Sequence, residues 1–285
     1  MLLASFGFAV MSIFVKLGAA HFSTAEMVFW RSAIGTVAMA AMLRRAGLSI
    51  RTSRLGMHVH RGVAGFVALF AFFYSLTALP VATATTLSYT SPLFVAVLFT
   101  VLARERIRPL LVASIVAGFA GAVLLLRPTL DGTQLVPALA GLLSGAVAAV
   151  AYWNIRQLVQ ADEPEERVVF YFTLFSTAGA LVWMLPQQWH AITLDNVGYL
   201  AGIAAFGTGA QLAMTRAYGQ GSAIVSAALS YSGIVFAAAL GWAVFDDALP
   251  LVAWIGIALV VAAGIMAVKV RQPARSEPPP QISSD

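Results

Sequence analysis

Leu87-Ser88-Tyr89 and Leu229-Ser230-Tyr231 repeat one tripeptide 142 positions apart, each inside a long apolar run. Hydroxyls and phenols in such surroundings can recognise an organic molecule through a few placed hydrogen bonds among mostly apolar contacts. Nucleophilic chemistry would need a base beside Ser88 or Ser230. The chain has no cysteine and no HExxH pattern, and its four histidines (His21, His58, His60, His190) fall in or beside the stretches between apolar runs. All twelve acids do the same or sit in the tail, so no paired carboxylates, metal cluster or acid–base couple is expected at mid-depth. An intramembrane enzyme is therefore disfavoured, and no metal or cofactor is expected.

Other polar and aromatic residues at comparable depth extend the candidate site. Thr85, Ser88, Pro92 and Ala96 are spaced three, four and four apart, forming one small-residue helix face flanked by Tyr89. Tyr152, Trp153 and Asn154 lie in a later run, Gln211 in another, Tyr74 and Trp30 in earlier ones. The full set of candidate substrate contacts is Trp30, Arg31, Tyr74, Thr85, Ser88, Tyr89, Tyr152, Trp153, Asn154, Gln211, Ser230 and Tyr231, with Pro92 and Gly233 as hinge positions. Arg31 enters about a turn and a half into its run. It could bind a carboxylate or phosphate bidentately, or else snorkel outward or tie helix ends together through Glu26. Lys16, near the end of its run, reads as structural. A proton-exchanging exporter of organic cations would need a central carboxylate, so a zwitterionic or anionic cargo is favoured. Without a buried acid or histidine, downhill passage or exchange fits better than tight proton coupling.

The elements that must hold these residues are transmembrane helices. With 60% hydrophobic and 10% charged residues in 285, and a mean hydropathy of +0.86, the composition is that of an all-α polytopic membrane protein. Ten runs read as spans, near 1–20, 25–43, 60–79, 81–103, 109–127, 135–157, 168–186, 196–215, 222–245 and 250–269. Fourteen of the seventeen Lys and Arg fall after even-numbered spans or in the tail, Arg61 among them, which places both termini in the cytoplasm. That distribution explains the net charge of +5 by topology and removes nucleic acid as a partner. A signal peptide ending at Gly18-Ala19-Ala20 is disfavoured by Lys16 late in the apolar stretch and by the lack of a basic leader.

The 142-residue echo also pairs Glu105 with Asp247, and at an offset of 140 Lys16 pairs with Arg156 and Glu26 with Glu166. Five spans per half is an odd number, so two such halves insert with opposite orientation. The chain thus reads as two inverted five-helix repeats, residues 1–130 and 131–271, followed by a disordered cytoplasmic tail, 272–285. Gly118, Gly121, Gly256 and Gly264 read as close-packing positions on two helices that form a scaffold or a dimer surface. The protein is expected as a monomer or homodimer among membrane lipids.

These residues also carry a family resemblance. The SIFVKLG stretch holding Lys16, FWRSAIG holding Arg31, Tyr74, the small residues Ala82 to Thr86, SPLFVAVL and Glu105 resemble the first half of the EamA-type carriers of the drug/metabolite transporter superfamily. Tyr218, Gly221, the small residues Ser226 to Ser230 and Asp247 resemble the second half. Two departures stand out: Ile234 occupies the place answering Pro92, and Tyr171 the place answering Arg31. The resemblance implies a ten-span carrier working by alternating access in a bacterial-type cytoplasmic membrane, with export the favoured direction. Neutral or aromatic amino acids, or related zwitterions, are the expected cargo. A multidrug or organic-anion carrier of the same fold stays open, as does a scaffold or scramblase.

Overall fold

A computed structural model describes residues 1–79, 81–102, 108–126, 134–245 and 250–269. The described residues form twelve helices and no strand: α1 Leu2–Gly18, α2 Thr24–Arg45, α3 Leu55–Ala78, α4 Val81–Ser88, α5 Ser91–Leu102, α6 Pro109–Leu126, α7 Leu135–Gln160, α8 Glu165–Met184, α9 Val197–Gln220, α10 Ala223–Ser230, α11 Ser232–Phe245 and α12 Leu251–Lys269. The helices α4 and α5 divide one apolar run, as α10 and α11 divide another. Eight segments are long and apolar enough to cross a membrane, each of those two runs counting once, and α1 and α6 are apolar but shorter. The expected tail 272–285, the Glu105 and Asp247 pair and the boundary between the two halves lie outside the described residues.

The polarity gradient is that of a lipid-embedded molecule. Large aliphatic side chains such as Val37, Val97, Val182 and Leu251 are exposed, while Ser32, Ser75, Ser114, Ser144, Ser176, Thr208 and Thr215 are buried. Lipid tails are as apolar as leucine, so the helices associate through close packing and interhelical polar contacts. Gly121 lets α6 approach α12 closely, since a Cβ there would lie 2.7 Å from the Gly256 carbonyl oxygen. Gly118 faces inward as well, against the Tyr231 ring, so both glycines serve packing within the chain.

The pairing of elements has a regular form. Helix α3 packs along α7 and α8; α9 packs along α1 and α2; α2 lies on α8 and α6 on α12; α5 packs on α7, and α11 on α1. Exchanging helices α1–α6 for α7–α12 in order leaves this set of neighbours unchanged.

Two carboxylates pin the ends. At the start of α2, Ser23 and Glu26 form a reciprocal capping box, with Glu26 N donating to Ser23 Oγ at 3.3 Å and Ser23 N donating to Glu26 Oε2 at 2.7 Å. Glu26 also accepts from the backbone N–H of His190 and lies 2.7 Å from its Nδ1, joining the α1–α2 and α8–α9 connections. At the other end Glu163, in the α7–α8 connection, accepts from Thr52 Oγ1 and from Arg167 Nη1 at 2.8 Å, and lies 3.3 Å from His58 Nε2. Burial alone would raise the Glu163 carboxyl. The bonds from Thr52 and Arg167, with the His58 imidazole close by, outweigh burial and hold it below its ordinary value.

One sequence assignment is corrected here. His58, His60 and Arg61 read as residues at a span margin, but α3 begins at Leu55 and carries all three within its first two turns. His58 and Arg61 are buried. Hydropathy marks where side chains become apolar, whereas the helical backbone continues past that point because its own hydrogen bonds favour propagation.

Candidate functional site

Both copies of the tripeptide end a helix. Helix α4 stops at Ser88, and Tyr89 and Thr90 form a turn before α5; α10 stops at Ser230, and Tyr231 alone separates it from α11. Pro92 is the second residue of α5, where a first-turn proline leaves no hydrogen bond unmade. The first break docks on α7 at Gly145, whose missing side chain admits it: a Cβ would lie 2.6 Å from Thr90 Oγ1 and 3.0 Å from the Ser88 carbonyl oxygen.

These breaks bring Tyr89 and Tyr231 together, their rings stacked with centroids 6.1 Å apart and planes 28° apart. Tyr231 is fully buried, and its hydroxyl has no partner among the described residues. The Tyr89 hydroxyl fills the space over Gly233, where a Cβ would sit 2.9 Å from it. Ser5 of α1 is near the same spot, with its own buried hydroxyl unpartnered among the described residues. Tyr152 of α7 stacks on Tyr218 of α9 at 4.4 Å and 11°.

Arg31 on α2 lies against Gly207 of α9, where a Cβ would meet its Nε at 2.7 Å. Glu26 is engaged by Ser23 and His190, so the tie between Arg31 and Glu26 weighed from sequence is not formed. Farther along the same face of α9, Gln211 is 4% exposed, and its Nε2 lacks a partner among the described residues. Gly207, Gln211, Met214 and Tyr218 follow each other at four, three and four residues, one continuous stripe.

The remaining candidates are dispersed. Trp153 turns its edge to Phe99 of α5 at 4.9 Å, and Asn154, Thr85 and Ser88 are half-buried on α7 and α4. Ser230 donates its hydroxyl to the Ala227 carbonyl at 2.7 Å, which commits its proton to its own helix. Trp30 belongs to an aromatic group with Phe29 and Trp189, at the Glu26–His190 end. Tyr74 is 44% exposed on a stripe with Val63, Val67 and Phe70. A recess of about 300 Å³ between α5 and α7 is lined by Phe94, Val97, Val101, Ala146 and other apolar residues. With no hydrogen-bonding side chain in its wall, it cannot orient a polar solute. Tyr218 and Arg61 were not among the site residues chosen from sequence. Tyr218 carried a signal in its family resemblance, and Arg61 in lying within the first turns of a run counted as membrane-spanning.

The family model for EamA-like transporters matches residues 1–127 and again 136–269. The chain belongs to the EamA-like transporter family. The resemblance read from Arg31, SPLFVAVL and Tyr218 is thereby shown, and with it an integral membrane transporter of small molecules. The pseudopaline exporter CntI of Pseudomonas aeruginosa (strain UCBPP-PA14) is 34% identical over 266 residues, covering 93% of this chain and 91% of the relative. A riboflavin transporter of Brucella anthropi is 28% identical over 244 residues, covering 84% of this chain and 86% of the relative. The aromatic amino acid exporter YddG of Ancylobacter novellus is 30% identical over 178 residues, covering 58% of this chain. One solved crystal structure superposes with a TM-score of 0.82 at 20% identity, covering 94% of this chain and 96% of the other, a likeness of fold.

Proposed function

We propose that this EamA-like transporter exports small organic metabolites by alternating access, with neutral or aromatic amino acids or related zwitterions as cargo. The observation that carries the reading is the stacked Tyr89–Tyr231 pair, set at two helix breaks 142 positions apart, with the Tyr231 hydroxyl buried and without a partner among the described residues. Broken helices near mid-depth are where carriers place a solute, because unwound backbone and exposed phenols can bind it there. Exchange of neighbours between halves, and the family model matching in two consecutive blocks, support ten spans arranged as repeats 1–130 and 131–271 of opposite orientation. The basic loops support cytoplasmic termini in a bacterial inner membrane. Two relatives named as exporters, one of them for aromatic amino acids, support direction and cargo. The organic-anion alternative is favoured by one observation, the absence of a carboxylate partner for Arg31 among the described residues.

The test is counterflow in proteoliposomes with radiolabelled phenylalanine, tryptophan and leucine, an organic-anion panel and an organic-cation panel. Saturable flux of amino acids in the wild type should fall at least about tenfold when Tyr89, Tyr231 and Trp153 are together changed to alanine, the loss of one to two ligand contacts. Undiminished flux in the triple variant, or transport confined to lipophilic cations, would sink the reading.

A further inference from the structure

Arg61 is the seventh residue of α3, ~9 Å along the axis from its start. It is 2% exposed, and its Nε and Nη1 have no hydrogen-bond partner among the described residues. The guanidinium lies 4.2 Å from the centroid of the Phe172 ring of α8 and over Gly65 of its own helix. A side chain at Gly65 would collide with it. No described carboxylate pairs with it, while Arg31 adds repulsion and Tyr152 is close enough to interact. A buried cation with unmade hydrogen bonds costs several kcal/mol in apolar surroundings unless a counter-charge arrives.

The seat of Arg61 answers that of Arg31. Gly65 and Gly207 are 142 positions apart, the separation of the two tripeptides, and each glycine holds a guanidinium over its backbone. Arg31 reaches its glycine from α2, whereas Arg61 reaches its own from one turn back on α3. Tyr171 stands where the repeat would put a second copy of Arg31, and its hydroxyl bonds instead to the Ile50 carbonyl. The positive charge missing from that position in the second half is thus supplied by a different helix.

We propose that Arg61 is an anion-binding residue of the transport path, taking the carboxylate or phosphate of the cargo on the Glu163 side, as Arg31 does on the Glu26 side. Its planar fork suits either oxyanion bidentately, and the Phe172 ring packs against it. Tyr152 supplies a neutral hydroxyl beside it, and stacking on Tyr218 supplies an aromatic floor for the remainder of the solute. The assignment of this anion to cargo rests on the carrier reading; the binding site itself does not.

The experiment uses the full chain in nanodiscs of phosphatidylcholine and measures the affinity of benzoate, phenyl phosphate and the uncharged isostere benzamide by calorimetry. Wild-type protein should bind at least one of the two oxyanions. Arg61→Gln should weaken that binding about tenfold or more while leaving benzamide unchanged, the loss of a charge-assisted contact. Arg61→Lys should fall between, keeping the charge and losing the fork, and it carries the test alone if Arg61→Gln does not accumulate. Phe172→Leu, which removes the ring and keeps the charge, should retain most of the oxyanion affinity. Equal oxyanion affinity in wild type and the Arg61 variants, or no oxyanion binding by wild type, overturns the proposal. So does displacement of benzoate by phosphatidylglycerol added to the nanodisc, which would make a lipid headgroup the occupant. Binding through Arg61 without any solute flux would leave this site standing and defeat the carrier reading; flux insensitive to Arg61 would do the reverse.

Discussion

Tyr231 combines a packed ring with a polar group that packing does not explain. Its ring fills the space left by Gly118 and meets Tyr89, which is ordinary apolar packing, but its hydroxyl is buried without a partner among the described residues. Leaving a buried hydroxyl unsatisfied costs about 1–3 kcal/mol. Tyr231→Phe should therefore raise the unfolding midpoint or leave it level while lowering amino-acid flux. Unfolding followed by intrinsic fluorescence, beside counterflow, separates the two effects. A fall in both together would assign the hydroxyl to structure. Gly118→Val should instead displace the Tyr231 ring itself, with loss of both midpoint and flux.

Helix breaks and helix-end pins are the elements on which the site depends. The α4–α5 break packs so closely on Gly145 that a Cβ there would lie 2.6 Å from Thr90 Oγ1 and 3.0 Å from the Ser88 carbonyl oxygen, so Gly145→Ala must move Thr90 or the Ser88 carbonyl. Its midpoint should fall, whereas Gly209→Ala, where a Cβ meets nothing within 4 Å, should be neutral or gain up to about 1 kcal/mol from helix propensity. A fall of equal size in both would show that the break is not docked as described. The Glu163 pin makes a pH prediction. Because its bonds hold the carboxyl below its ordinary value, its contribution is complete above that value and is lost as pH falls through the lower folded-state value. The midpoint difference between wild type and Glu163→Gln should be constant near neutrality and shrink on acidification below the ordinary carboxylate range. A gap that widened with acid would reverse the sign.

Across the fold, bonds at the two ends sort the connections into two sets. Thr52, His58 and Arg167 share one end with Glu163, and His190 shares the other with Glu26. The basic loops lead to the expectation that the Glu163 end faces the cytoplasm. The chain has no native cysteine, so single-cysteine labelling reports on this directly. In intact cells a membrane-impermeant maleimide should modify Leu194→Cys, at a position 95% exposed, and spare Ser49→Cys and Asp162→Cys until the membrane is opened. Labelling of Ser49→Cys in intact cells would invert the orientation.

The all-helical membrane character, most of the helix limits, the 142-residue echo and the transporter family could all be read along the chain, because hydropathy and repeat spacing are properties of sequence order. Tyr89 and Tyr231 could be chosen for the same reason, each standing among small polar residues in an apolar run. Tertiary structure decided what those residues face. It paired Tyr152 with Tyr218, set Trp30 among outer aromatics and Tyr74 on an exposed stripe, and moved Arg61 from a loop into a buried turn. Exposure and partnership depend on which helix lies opposite, and that is settled by small-residue contacts such as Gly207 with Arg31 and Gly145 with the Ser88 carbonyl. Hydropathy averages over such contacts, so a lone arginine beside a glycine looks like loop charge until the neighbouring helix is in place.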